Sequence, residues 1–309
     1  MIILRIALLF VFIMQISGVA QGVEPTWPDI SYVNDTLVGH QLDIYLPSQK
    51  KESFPVAVVI YGSAWFGNNR KHQSYKLFGP SLLEAGFAVA AINHRSSREA
   101  IFPAQIHDVK AAVRFLRGNA EQYSLDTSFV AAVGISSGGH LSAFLGTSGG
   151  IIQHSVGSEI VAIEGSLGDY LEMNSFVDAV VDWYGPTTFL VMDSCGRRMN
   201  HNAADSPEST LIGGPIQDHK DRCALANPVS YVDANDPPFL IIHGDADPLV
   251  PHCQSEILHQ ALKQYNVPNK LVIVPGAKHG SGLHEPKYFK KMTDILLDAR
   301  ETKLIYSSK

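Results

Sequence analysis

Ser136 lies between paired glycines, in Gly134-Ile135-Ser136-Ser137-Gly138. The apolar run Phe129 to Val133 precedes it, and the helix-compatible stretch Gly139 to Leu145 follows. A strand that turns sharply into a helix leaves no room for a Cβ at Gly134 or Gly138. Such a turn raises the Ser136 hydroxyl to a helix N-terminus, where developing negative charge is favoured. A serine hydroxyl is a weak nucleophile until a base takes its proton, and the base needs a carboxylate to orient it. Asp247, in His243-Gly244-Asp245-Ala246-Asp247-Pro248, and His279, in Gly276-Ala277-Lys278-His279-Gly280, each follow an apolar run. Ser136, Asp247 and His279 are therefore the candidate nucleophile, orienting acid and base, with Asp245 the alternative carboxylate.

The negative oxygen of an acyl-transfer intermediate needs preorganised N–H donors. One candidate is the backbone N–H of Ser137, the residue after the nucleophile. The other comes from Tyr61-Gly62-Ser63-Ala64-Trp65, where Ser63 is the first choice and Ala64 the second. Small residues there let the backbone approach a substrate. Trp65, beside this loop, is a candidate wall for the acyl pocket. His140 follows the elbow and is expected to pack behind it. No HExxH or similar ligand spacing occurs, so no metal and no cofactor are expected.

These residues need a scaffold that brings strand ends together. Val56 to Tyr61, Phe87 to Ile92, Phe129 to Val133, Val177 to Trp183, Phe239 to His243 and Leu271 to Val274 read as buried strands. Continuous apolar runs of this kind suit parallel strands covered on both faces. Helices fall between them at Ala104 to Arg117, with an apolar stripe of Ile106, Val109, Val113 and Leu116, at Cys253 to Tyr265, and at Lys287 to Ala299. The alternation predicts an α/β fold with a doubly wound, mostly parallel sheet. Each candidate residue then sits just past the C-terminal end of a different strand, where ligands bind in open α/β sheets. Gly185 to Asp236 breaks the rhythm and reads as a cap or partial lid, since plain connections run ~2–6 residues. Asn200, His201, Asn202, Asp205 and Ser206 make it polar, unlike the apolar lid of a lipase. A shorter polar stretch, Gly149 to Ser175, is expected at the rim.

The 309 residues carry 24 Lys+Arg against 30 Asp+Glu, a net charge of −6. A mildly acidic chain has no basic stripe for phosphates, so nucleic acid is not an expected partner. Hydrophobic residues at 45% suffice for a sizeable core and exclude a disordered chain. Arg5, the apolar run Ile6 to Met14 and the small residues Gly18-Val19-Ala20 read as a secretory signal cut after Ala20. The run is too short to span a bilayer, and no later one is long enough. A folded domain over 21–309 and secretion or periplasmic export are thus expected, without stable membrane insertion. In an exported chain the 3 cysteines suggest one disulfide and one free thiol. Three pairings are open, and Cys223 with Cys253 is favoured because both are expected near one end of the sheet.

The motifs YGSAW, AINHRSS, FPAQIHDVKAAVRFLR, GISSGGHLSAFLG, VVDWYGPT, DSPESTLIGGPI, PPFLIIHGDADPLVPHCQSE and VPGAKHG run from Val56 to His279 with their flanks. Together they resemble α/β-hydrolase esterases. The resemblance is to the feruloyl and acetyl-xylan esterase-like branch, beside the hormone-sensitive-lipase-like carboxylesterases. It implies a Ser136–His279–Asp247 triad, no cofactor, and an acyl ester on xylan-type carbohydrate as substrate, acetyl or feruloyl. It also implies a buried ion pair between Arg95 and Asp108. A serine exopeptidase of the prolyl-oligopeptidase type shares this fold and residue order, and a noncatalytic module on the same fold is the other alternative.

Overall fold

The computed structural model describes residues 24–196 and 199–307, so the proposed signal segment 1–20 lies outside the described residues. In chain order, β1 (Trp27–Ser31), β2 (Gln41–Tyr45) and β3 (Phe54–Ile60) lead into helix α1 (Lys71–Glu84). Next come β4 (Ala88–Ile92), α2 (Ala104–Gly118), β5 (Leu125–Ile135) and α3 (Ser137–Thr147). A hairpin of β6 (Gln153–Val156) and β7 (Glu159–Ala162) precedes β8 (Ala179–Trp183). Two short helices, α4 (Pro207–Ile212) and α5 (Lys220–Leu225), then lead to β9 (Phe239–Gly244), α6 (Cys253–Gln264), β10 (Asn269–Val274) and α7 (Pro286–Ser307).

The main sheet runs β1-β2-β4-β3-β5-β8-β9-β10. The strands from β4 to β10 in this order are parallel, and β1 and β2 form an antiparallel edge. Along β3 the side chains of Val56, Val58 and Ile60 enter one core, and those of Ala57 and Val59 enter the other. This period of two buries both faces, which is why the strand reads as an unbroken apolar run. On the first face the stripe Ile106, Val109, Val113 and Leu116 of α2 packs with Phe144 of α3 and Leu258 of α6. On the second, Phe78 of α1 and Met292 of α7 complete the layer. The two-stranded edge of β1 and β2 and helix α1 carry weak sequence signals. Pro28 interrupts β1, and Gly79 and Pro80 lie inside α1.

Among its described residues the 185–236 segment contributes no strand. It carries two 3₁₀ turns, Phe189–Cys195 and Pro228–Tyr231, around α4 and α5. The 149–175 stretch carries the β6–β7 hairpin, and Arg222 of α5 contacts Glu159 there. Arg95 and Asp108 form the expected pair, the carboxylate buried and Arg95 half-buried, with Arg95 Nε and Nη2 donating to the carboxylate at 2.6–3.0 Å. This joins the loop after β4 to α2.

The favoured disulfide is wrong. Cys195 bonds Cys253 (S–S 2.00 Å, Cα–Cα 6.1 Å), and Cys223 is the free cysteine. The reason is direction. Cys223 turns its Sγ into the core towards the carbonyl of Ile216, 3.5 Å away. Cys195 ends the first 3₁₀ turn and meets the start of α6. The bond spans 58 residues. A loop of that length contributes about 4 kcal/mol in the chain-entropy account. Non-reducing peptide mapping is expected to recover Cys195 linked to Cys253. Burial pushes the Cys223 thiol up to about 12, so it should resist alkylation until the protein is denatured. A Cys223–Cys253 peptide in that map would reverse the assignment. The Cys195→Ser, Cys253→Ser double variant is expected to lose about 4 kcal/mol in urea denaturation.

Candidate active site

Ser136 caps α3 with φ 52° and ψ −123°, a left-handed backbone that costs about 1–3 kcal/mol for a residue with a Cβ. Its N–H donates to the Trp183 carbonyl at 2.9 Å, and its own carbonyl accepts from His140 N–H at 3.0 Å. The flanking glycines are required by contact. A Cβ on Gly134 would lie 2.1 Å from the Gly138 carbonyl oxygen, and one on Gly138 would lie 2.3 Å from that of Ile60. The turn into α3 therefore packs directly against the end of β3, and the hydroxyl stands clear of the sheet.

His279 Nε2 lies 3.0 Å from Ser136 Oγ, and His279 Nδ1 lies 2.7 Å from Asp247 Oδ2. Asp247 Oδ1 accepts from the backbone N–H groups of Leu249 at 2.8 Å and Val250 at 3.0 Å. Burial opposes its ionisation, but hydrogen bonds from His243, His279 and Val250 outweigh that and hold the carboxyl well below the usual carboxylate range. Asp245 is exposed and accepts from Gly276 N–H at 2.7 Å, so it joins the loops after β9 and β10 rather than meeting the imidazole. The Tyr184 ring packs edge-on against His279, centroids 4.6 Å apart.

The loop donor differs from the sequence expectation. Ser63 N–H donates to Ser137 Oγ at 2.9 Å and is already engaged. Ala64 and Trp65 follow with φ of 51° and 58°, so the chain turns over the elbow and Ala64 lines the cavity beside Ser136. The Ala64 N–H makes no hydrogen bond among the described residues, and it replaces Ser63 as the loop candidate beside Ser137 N–H. Trp65 lines the same cavity and packs under the 185–236 segment, against Phe189. Its Nε1–H donates to His140 Nδ1 at 3.3 Å, while His140 Nε2–H donates to the Ala226 carbonyl at 2.8 Å. Burial pushes His140 down to about 4, so it stays neutral and structural behind the elbow.

The cavity over Ser136 has a volume of about 120 Å³. Pro186, Met199, His201, Pro207 and Glu208 of the 185–236 segment close it from above. Sequence reasoning singled out His201 as polar and missed Glu208, which reads as an ordinary first-turn glutamate of α4. It also missed His243, which approaches Asp247 Oδ2 at 3.3 Å and has Ser255 Oγ 2.7 Å from its Nδ1. Among the described residues, no group of three or more His, Cys, Asp or Glu is placed to hold a metal ion. No described helix is long and apolar enough to cross a membrane.

A mostly parallel sheet with a strained serine elbow, and a histidine and an aspartate on the following strand ends, defines an α/β hydrolase. The chain belongs to the BD-FAE family, whose model matches residues 42–262. It is 30% identical over 210 residues to esterase LipQ of Mycobacterium tuberculosis, covering 68% of this chain and 46% of that protein. It is likewise 30% identical to esterase LipC of the same organism, covering 74% and 53%. The chain thus spans about half the length of these curated relatives. Among solved structures it is 48% identical to a truncated carbohydrate esterase from gut microbiota, with a TM-score of 0.85, covering 88% of this chain and 95% of that one. It matches a bifunctional GH43-CE protein of Bacteroides eggerthii with the same identity and TM-score, covering 88% of this chain and 38% of that one.

Asp182 at the end of β8 yields a pH prediction. It is fully buried. Oδ1 accepts from Gly185 N–H at 2.9 Å, and Oδ2 has no hydrogen-bond partner among the described residues. Burial pushes its carboxyl up from 3.8 to about 7, with the Gly185 bond opposing. Between those values the folded state keeps a proton that the unfolded chain has released. Stability contributed by this group is therefore present at low pH and falls as pH rises through the window. Asp182→Asn keeps the Oδ1 acceptor and cannot ionise. The drop in Tm between about pH 5 and pH 8 should be smaller in the variant. An unchanged drop would remove Asp182 as its source.

Proposed function

We propose that the protein is an exported serine carboxylesterase that removes short acyl groups, acetyl first, from xylan-type carbohydrate. The observation that carries this reading is the unbroken Asp247–His279–Ser136 line, at 2.7 and 3.0 Å, opening into a small cavity. His279 Nε2 takes the Ser136 proton as Oγ attacks the ester carbonyl. The N–H groups of Ser137 and Ala64 receive the oxyanion. Asp247 holds the imidazole tautomer and balances its charge. His279 then protonates the departing alcohol, and a water repeats the sequence on the acyl-enzyme.

The size of the cavity supports the short acyl group. An apolar cavity of about 150 Å³ takes one benzene ring, so about 120 Å³ suits acetyl, and a feruloyl ring has to extend through the open side. Carbohydrate as the alcohol half is supported by the name of the 48% identical neighbour. Export is supported by the 1–20 sequence and by a disulfide, which persists in oxidising compartments.

Ser136→Ala should fold normally and lose esterase activity by about 10⁶-fold in kcat. Asp247→Asn should lose about 10⁴-fold, because the imidazole loses its orienting acceptor. Asp245→Asn should lose far less. Activity of Ser136→Ala within tenfold of the parent, or a reversed rank of the two aspartates, would break the assignment. For substrate class, kcat/KM should be highest for acetylated xylo-oligosaccharides, lower for methyl ferulate, and lowest for p-nitrophenyl palmitate. A palmitate preference would overturn the carbohydrate reading and leave the triad intact.

A further inference from the structure

The cavity over Ser136 has an unmatched polar feature in an otherwise carbon-rich wall. His201 and Glu208 are each 3% exposed, and both line it. His201 Nδ1 and Glu208 Oε2 form an ion pair at 3.3 Å without the alignment of a hydrogen bond, and neither atom has another hydrogen-bond partner among the described residues. A buried ion pair repays its desolvation only when further hydrogen bonds satisfy its remaining atoms. Facing a cavity, this pair has bonding capacity left for a ligand.

Neither side chain is free to turn away and satisfy itself. Asp193 Oδ1 accepts from His201 N–H at 3.0 Å. Ser206 Oγ caps α4 through Ser209 N–H at 3.0 Å, which fixes the turn that carries Glu208. The Cys195–Cys253 bond ties the 3₁₀ turn bearing Asp193 to α6. The pair is therefore held facing the cavity by its neighbours.

A hydroxyl matches this pair, since it donates one hydrogen bond and accepts others. It can donate to Glu208 Oε2 and accept from His201 Nδ1–H. A substrate carboxylate would meet the Glu208 charge. An acetyl group carries no hydroxyl, so the pair addresses the alcohol half of the ester, whose leaving oxygen His279 protonates. We propose that Glu208 and His201 form a hydroxyl-binding subsite that recognises the free sugar hydroxyl beside the acylated carbon. This deepens the esterase reading and rests on it. A site built to hydrogen-bond a substrate hydroxyl discriminates strongly against an analogue that lacks it.

The test compares kcat/KM for methyl 2-O-acetyl-β-xylopyranoside with that for cyclohexyl acetate, a six-membered-ring acetate without hydroxyls. The unsubstituted enzyme should prefer the xyloside by at least about tenfold. Glu208→Met should reduce that ratio to within about threefold of unity. Glu208→Gln should give an intermediate ratio, because a neutral acceptor bonds roughly half as strongly as a carboxylate. Being nearly isosteric, it carries the test should Glu208→Met not fold. A ratio unchanged in the Gln variant, or an equal loss on both esters, overturns the subsite. If the unsubstituted enzyme cleaves both esters without preference, the subsite falls and the esterase reading stands. If it cleaves neither, both fall. A selective loss on methyl ferulate against methyl cinnamate would place the hydroxyl on the acyl side and overturn the sugar assignment.

Discussion

The turn from β5 into α3 passes so close beneath β3 that no side chain fits between them. Ser136 takes its left-handed backbone because Gly134 meets the Gly138 carbonyl and Gly138 meets that of Ile60. The same crowding reaches the loop above. A Cβ on Gly62 would lie 2.9 Å from both the Ile135 carbonyl oxygen and Ser136 Cβ. That loop therefore lies on the elbow and folds back through two residues of positive φ, Ala64 and Trp65. Backbone strain of this kind persists only where the surroundings over-determine it. Here they are the parallel strands on either side, which pair in unbroken register from Ala131 with Ala179 to Ile135 with Trp183.

The segment between β8 and β9 is fastened to this frame where it begins, where it crosses the site, and near its end. Gln254, fully buried at the start of α6, accepts from the N–H groups of Thr187 at 2.9 Å and Thr188 at 2.7 Å. The adjacent Cys253 bonds Cys195. Further on, His140 reaches from the nucleophile helix to the Ala226 carbonyl while accepting from Trp65. One neutral imidazole thus connects the elbow, the loop over it and the covering segment. The roof of the cavity is placed by hydrogen bonds and a covalent link, and apolar contacts such as Trp65 on Phe189 fill the space between.

That Ser136, His279 and Asp247 come together was legible because each follows an apolar strand and belongs to a short motif with a steric reason. The central parallel strands were legible for the same reason. Other features depend on direction, which a linear pattern does not carry. Cys223 is as near to Cys253 in sequence as a pairing requires, yet its thiol points inward at Ile216. Ser63 has the small side chain an oxyanion loop needs, yet its N–H is taken by Ser137 Oγ. Glu208 sits where helices commonly place an acid, near the positive end of the dipole, and only its burial beside His201 sets it apart. The β1–β2 edge was missed because Trp27–Ser31 is short and contains proline; Asp29 and Asp43 on the paired strands both meet Lys71.

Two buried aspartates near the elbow are driven in opposite directions by the number of donors each meets. Asp247 faces His279 and His243 and takes two backbone N–H groups, enough to outweigh burial and keep it ionised. Asp182 takes one backbone N–H, from Gly185, and burial wins, pushing it up to about 7. Environment alone separates two identical side chains in this way. The carboxylate charge is thereby concentrated beside the His279 imidazole. Burial disfavours a second negative charge behind the elbow, at Asp182.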